Sequence, residues 1–463
     1  MTTPVRPLCA ALVAAWLVGA ALLAAPTPPL KDADGRMLRR APTGHITNYY
    51  EDKVPPYTLP DPLVLADGRP VRDAATWFNQ RRPELLKLYE TEIYGRVPAT
   101  APSVHYEVID EVPVLDGTAL RKHITMHFGD KPEGPTVHVM LYRPVTAASP
   151  LPLVLHITFG GDPALQPPLP GDRPGQTPAG QQAGTMPAPV APGATPPRRF
   201  NDMGPVADVL ANGFSYGIVR YSEIQPDNKD GYTGGVIGLA LAPGQTKPAP
   251  DEWGTIAAWT WGLSRLMDYL ETDSTVDAKR VALVGHSRLG KTVLWAGATD
   301  PRFALIYSSQ SGEMGAALSR RDFGETVDDM ATNYGYQFAG NLQKYIGHWN
   351  DMPHEGHLLL ALSAPRPVFV SGGSGDLWSD PRGMFLAMVA AGPVWRLLGQ
   401  QDLGTTEMPA LDQPVGKGVM AFVNHNGPHL ISPLDWKIFF AFARWHLQLN
   451  VPPAAVSLPG PSI

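Results

Sequence analysis

The sequence predicts a three-layer α/β sandwich with a mostly parallel central sheet and helices on both faces. Three observations carry this expectation. From Gly213 to Leu447 apolar strand-like runs alternate with helical runs, the pattern that places parallel strands side by side with helices over them. The run "PLPLVLHITFGG" (Pro150 to Gly161) is continuously apolar, as a strand covered on both faces requires. The chain has 463 residues, 44% of them hydrophobic and 17% charged, enough to bury the large core of such a domain.

The elements follow in order. "WFNQRRPELLKLYETEIYG" (Trp77 to Gly95) has the spacing of an amphipathic helix. The runs Val104 to Val112, Leu120 to Gly129 and Pro135 to Pro144 alternate as antiparallel strands do. Residues 162–199 are too rich in Pro, Gly, Ala and Gln to build a packed core, and are expected to form a flexible insertion. Beyond it come the strand "GFSYGIVRYSEI", the helix "DEWGTIAAWTWGLSRLMDYLE", the strand "RVALVGHS" and the helix "RLGKTVLWAGA". The strands "FALIYSSQSG" and "RPVFVSGGSGD", the helix "PRGMFLAMVAAGPVWRLLG", the strand "VMAFVNHNGPH" and the helix "PLDWKIFFAFARWHL" complete the series.

The ends have their own composition. Arg6 followed by an apolar run to about Ala25 resembles a secretory signal, so residues 1–25 are expected to be removed and the product exported, secreted or periplasmic, with no membrane association afterwards. Residues 26–450 are then expected to form a single domain and 451–463 a tail. The one cysteine, Cys9, lies inside the leader, which leaves the mature chain without thiol chemistry. A net charge of -6 argues against a nucleic-acid groove. No metal or other cofactor is expected: "HEGH" (His354 to His357) lacks the His-Glu-x-x-His spacing of zinc proteases, and core or loop roles suit its histidines better.

In a parallel sheet the ligand site lies beyond the carboxyl ends of the strands. Three of those ends carry Ser287, Asp376 and His429, in the chain order serine, acid, histidine used by α/β-hydrolases. A serine hydroxyl needs an imidazole to take its proton, and the imidazole needs a carboxylate to fix its tautomer and stabilise its cation. Each residue also has a plainer reading. Ser287 stands where a helix N-cap would, and the glycine of a Gly-x-Ser-x-Gly elbow is missing at Leu289 and found at Gly290. Asp376 competes with turn roles, and Asp380 before Pro381 is the better capping candidate. His425 competes with His429 but sits at the strand end, where a structural hydrogen bond is the commoner fate. His286 reads as a packed neighbour.

The run "GHSRLGK" resembles the Gly-x-Ser-Arg-x-Gly-Lys motif of the glucuronoyl esterases, carbohydrate esterase family fifteen. The blocks "NYYEDKVPPYTLPDP", "SGEMGAALSRRDFGET", "HLLLALSAPRPVFV", "DLWSDPRGMFLA" and "HNGPHLISPLDWKIFFAFARWHL" are similar to those of the same family, so the resemblance spans about Asn48 to Leu447. It implies an α/β-hydrolase three-layer sandwich. It also implies a serine carboxylesterase acting on esters of (4-O-methyl-)glucuronic acid, such as those joining glucuronoxylan to lignin, through an acyl-enzyme. An acetyl-xylan or other carbohydrate esterase is the alternative, and a carbohydrate-binding protein on a hydrolase scaffold the second. The expected partner is the glucuronoxylan or lignin–carbohydrate ester itself, and the enzyme is expected to be a monomer.

Carried over residue by residue, the resemblance makes Ser287 the nucleophile and His429 the general base. Arg288 lies at the oxyanion, Lys291 contacts sugar hydroxyls, and Trp378 covers the sugar. Many members carry a catalytic glutamate where this chain has Gln310, which cannot supply the charge. Some bacterial members place the acid after the next strand, which points to Asp376, with Glu313 as the alternative.

Overall fold

The structure, a computed structural model, describes residues 30–40, 46–131, 134–147, 150–160 and 204–449. The expected leader, the 162–199 insertion and the 451–463 tail lie outside the described residues. Nine strands form the main sheet: β1 (Val104–Val114), β2 (Ala119–Phe128), β3 (Thr136–Pro144), β4 (Leu151–Thr158), β5 (Ser215–Arg220), β6 (Val276–His286), β7 (Phe303–Ser309), β8 (Val368–Gly373) and β9 (Met420–His425). Their spatial order is β9-β8-β7-β6-β4-β5-β3-β2-β1. β1, β2 and β3 pair antiparallel and β3 meets β5 antiparallel, whereas β5, β4, β6, β7, β8 and β9 are all parallel.

This order has a switch point. From β4 the chain moves to β5 on one side and then crosses back to β6 on the other, so the connections leave the sheet in opposite senses and open a crevice above the strand ends. β6 delivers Ser287 to that crevice, β8 leads to Asp376, and β9 leads to His429.

Alternation along the strands builds two separate cores. Val281 and Leu283 of β6 face a cluster shared with α2 (Thr255–Leu270), α3 (Arg288–Thr299) and α4 (Pro381–Leu397). Ala282 and Val284 face the other side, where α5 (Pro433–His446) contributes Trp436, Phe439 and Phe442. The period of two therefore assigns each strand residue to one layer, as a strand covered on both faces requires.

The first helical run departs from a regular helix. The chain makes a π-turn over Trp77–Arg81 before continuing as α1 (Arg82–Glu92). Pro83 has no N–H to donate and its ring crowds the turn behind it, and a wider turn relieves both.

Candidate active site

Ser287 is the single-residue corner between β6 and α3, with φ 58° and ψ -127°. Such a conformation is strained for any residue with a Cβ, at about 1–3 kcal/mol, and surrounding contacts must impose it. Here the Ser287 N–H donates to the Ser309 carbonyl at 2.8 Å, and Lys291 N–H donates to the Ser287 carbonyl at 3.2 Å. Although Ser287 occupies the cap position, its side chain makes no capping hydrogen bond. A Cβ at Gly285 would lie 2.3 Å from the Leu289 carbonyl oxygen, and one at Gly290 would lie 2.9 Å from Ser311 Cβ. The close approach of helix to neighbouring strand therefore runs through position 290. Leu289 is fully buried in the core, which is why the glycine stands one residue later than in the general elbow.

On the loops beyond β8 and β9, Asp376 Oδ2 lies 2.5 Å from His429 Nδ1. Ser379 donates its hydroxyl to the same Oδ2 at 2.5 Å. Burial by itself would raise the Asp376 pKa, but His429 and the Ser379 hydrogen bonds outweigh it and hold the carboxyl below its ordinary range. The His429 ring faces the His286 ring with 4.4 Å between centroids. His286 is buried, and burial with the neighbouring histidines keeps it neutral well below the usual imidazole range, so it adds no second cation beside His429.

Arg288 is buried at the first position of α3. Its Nη1 lies 2.5 Å from Asp227 Oδ2, and its guanidinium stands 5.4 Å from the centre of the Tyr334 ring. Burial pushes its pKa down, and Asp227 more than offsets that. Lys291, one turn further along the helix, lies 3.8 Å from Glu325 Oε2. The Glu325 N–H in turn donates to the Trp378 carbonyl at 2.8 Å, which ties lysine, glutamate and tryptophan into one wall. Burial lowers the Lys291 pKa and raises that of Glu325, and each partly counters the other.

Comparison with known proteins shows the family. A family model described as "Glucuronyl esterase, fungi" matches residues 248–399. Carbohydrate esterase MZ0003, from an unknown prokaryotic organism, is 36% identical over 410 residues, covering 86% of this chain and 92% of that one. The chain belongs to the glucuronoyl esterases, carbohydrate esterase family fifteen. The solved glucuronoyl esterase from Solibacter usitatus is 42% identical with a TM-score of 0.74, over 85% of this chain and 99% of that one. The 4-O-methyl-glucuronoyl methylesterase of Cerrena unicolor is 36% identical over 156 residues, 32% of this chain and 33% of that one. The protein is thus a carboxylic ester hydrolase with an α/β-hydrolase fold.

Within this esterase the two rival acids have different partners. Glu313 is buried and accepts a hydrogen bond from Ser319 at 2.5 Å, and burial drives its pKa well above the carboxylate range. Gln310, at φ 46°, turns its amide nitrogen toward the carbonyls of Leu430 at 3.2 Å and Pro428 at 3.4 Å. A side chain able to donate suits those two carbonyls, and it braces the loop that carries His429. His425 braces the same loop. Its Nδ1 lies 2.8 Å from Asp435 Oδ2, and its Nε2 lies 3.1 Å from the Pro428 carbonyl and 3.4 Å from the Gln310 amide nitrogen.

The remaining histidines of "HEGH" sit in the interior. His354 packs edge-on to Tyr89 with 5.5 Å between centroids, and His357 Nε2 lies 2.8 Å from the Pro60 carbonyl. Glu355 between them caps the short helix Gly356–Ala361 by accepting from the Gly356 N–H at 2.9 Å. Asp380 caps α4 through the Gly383 N–H at 2.8 Å.

The sequence does not mark Asp227, Ser379 or Glu325 as site residues. Asp227 lies in the loop after β5, about sixty residues before its guanidinium partner, and nothing in "IQPDNKDGY" marks it. Glu325 stands inside a block that resembles the family, so its position there was the available signal.

Proposed function

We propose that this esterase hydrolyses esters of glucuronic or 4-O-methyl-glucuronic acid, as in lignin–xylan cross-links, through an acyl-enzyme formed on Ser287. The observation that carries the reading is the 2.5 Å contact between Asp376 and His429 on the loops that follow β8 and β9, at the same end of the parallel strands as the Ser287 elbow. The activity for which the Cerrena unicolor relative is named, that of a 4-O-methyl-glucuronoyl methylesterase, supports the acyl part.

His429 accepts the Ser287 hydroxyl proton as Oγ attacks the ester carbonyl carbon. Asp376 keeps the proton on Nδ1, so that Nε2 is the basic atom, and stabilises the imidazolium as it forms. The carbonyl oxygen becomes an oxyanion, which takes hydrogen bonds from the Arg288 guanidinium and from first-turn N–H groups of α3 that have no helical carbonyl behind them. Collapse expels the alcohol, protonated by His429. A water molecule then repeats the sequence on the acyl-enzyme, giving glucuronate and free Ser287. Lys291, Glu325 and Trp378 form a wall suited to a sugar: one face is apolar indole, and the charged groups can reach hydroxyls.

The reading also includes export of a single catalytic domain of residues 26–450 acting as a monomer, supported by the leader-like composition of residues 1–25. Among the described residues no helix is long and apolar enough to cross a membrane.

The test is hydrolysis of benzyl glucuronate beside an acetylated xylan, with wild type and Ser287→Ala. Turnover of the glucuronate alone, lost in Ser287→Ala together with labelling by a fluorophosphonate, is expected. Preference for the acetyl ester overturns the substrate, and retained activity in Ser287→Ala overturns the nucleophile.

A further inference from the structure

Each candidate cation of the site has its own carboxylate. Arg288 is matched by Asp227 at 2.5 Å, Lys291 by Glu325 at 3.8 Å, and His429 by Asp376 at 2.5 Å. The Asp227 arrangement is the most fully built. Its Oδ2 also accepts from the Tyr221 hydroxyl at 3.0 Å, and its Oδ1 accepts from the Tyr336 hydroxyl at 3.0 Å and from Gln337 Nε2 at 2.8 Å. Four donors from three separate segments occupy both oxygens, so the carboxylate has one orientation, and the guanidinium it holds inherits that orientation. Arg288 and Asp227 are both buried, with side-chain exposures of 10% and 7%, so solvent screens their charges weakly.

The reaction proposed above changes the charge of its ligand. The ester is neutral at the acyl group, and the acid released from it is an anion near pH 7. Buried cations without counter-charges would hold that anion more tightly than the neutral ester, and turnover would then be limited by release of the product. A transition-state oxyanion is served by a correctly placed donor, which an ion-paired guanidinium still provides.

Resting on the glucuronate reading, we propose that Asp227 is a positioning residue with a second effect: it fixes the Arg288 guanidinium at the oxyanion and cancels its net charge, so that the site releases the carboxylate product. The ligand class it discriminates against is the free uronic acid.

The experiment compares binding of glucuronate and methyl glucuronate to Ser287→Ala by calorimetry, with Asp227 intact, with Asp227→Asn and with Tyr336→Phe. With Asp227 intact, glucuronate is expected to bind no more tightly than the methyl ester. In Asp227→Asn the ratio should shift toward glucuronate by about tenfold or more. Product inhibition of Asp227→Asn with Ser287 restored should tighten in parallel while kcat falls. Tyr336→Phe removes one donor but keeps the charge, so its ratio should stay at the parent value, which a purely structural role for Asp227 would not predict. An unchanged ratio in Asp227→Asn overturns the proposal. So does glucuronate binding tenfold more tightly than the ester with Asp227 present, a result that needs no folded Asp227 variant. If neither ligand binds Ser287→Ala and wild type leaves benzyl glucuronate intact, the substrate reading itself has failed, and this proposal falls with it.

Discussion

Asp376 Oδ2 meets His429 Nδ1 at 2.5 Å across two loops that follow adjacent parallel strands, and Ser379 braces the same oxygen. Nothing in the fold below them requires a carboxylate there, since β8 and β9 complete their pairing at Gly373 and His425. Removing the charge while keeping the shape therefore tests the acid. Asp376→Asn is expected to lower kcat by about a thousandfold to ten-thousandfold, because the His429 tautomer and cation lose their support. Glu313→Gln, which alters a buried group bonded to Ser319, is expected to leave kcat within a fewfold of wild type. Assays of both variants on benzyl glucuronate decide between them, and the reverse outcome assigns the acid to Glu313.

Gln310→Glu is expected not to rescue Asp376→Asn. The amide nitrogen of Gln310 points at the carbonyls of Leu430 and Pro428, and a carboxylate in its place would set oxygen against oxygen there. Activity of the double variant should equal or fall below that of Asp376→Asn. A tenfold recovery would mean that the loop can shift to bring the new carboxylate to His429.

His425 makes stability depend on pH. Burial opposes its charge, but the hydrogen bond and charge of Asp435, the Pro428 carbonyl and the charge of Asp412 outweigh burial and raise its pKa above the ordinary 6.5. Buried His286 also faces it and stays neutral, and Gln310 beside it carries no charge. A raised folded-state pKa contributes stability that is fully present below the unfolded value and lost as pH rises through the folded one. Urea unfolding should therefore show this contribution at a pH just below the ordinary imidazole value and its loss at a pH well above it. In His425→Gln the difference between the two pH values should shrink. An unchanged difference would place the dependence on another group.

Ser287→Gly should abolish turnover and raise stability. Glycine reaches φ 58° without the clash that a Cβ brings, which removes about 1–3 kcal/mol of strain, and its greater freedom in the unfolded chain gives back about 0.5–1 kcal/mol. The urea midpoint is expected to rise. A fall would show that the serine side chain stabilises the elbow by more than its backbone costs.

The layered fold is legible in the sequence because hydrophobic period is local. Runs such as "VALVGH" carry their own division into two faces, and the structure sorts Val281 and Leu283 from Ala282 and Val284 accordingly. The sequence also brought Ser287, Asp376 and His429 forward as candidates, since each follows a strand and parallel strands end on one side. Tertiary structure decided what each candidate touches. The Ser287 torsion depends on Ser309 and on a glycine contact at Ser311, neither of which the motif contains. Asp376 and Glu313 are both acids after strands, and only the folded loops give His429 to one and Ser319 to the other. Asp227 was illegible for the same reason. A charge pair is a relation of distance, and the segments holding Arg288 and Asp227 come within 2.5 Å only when the chain crosses back over β4 from β5 to β6 and folds two distant loops over one crevice.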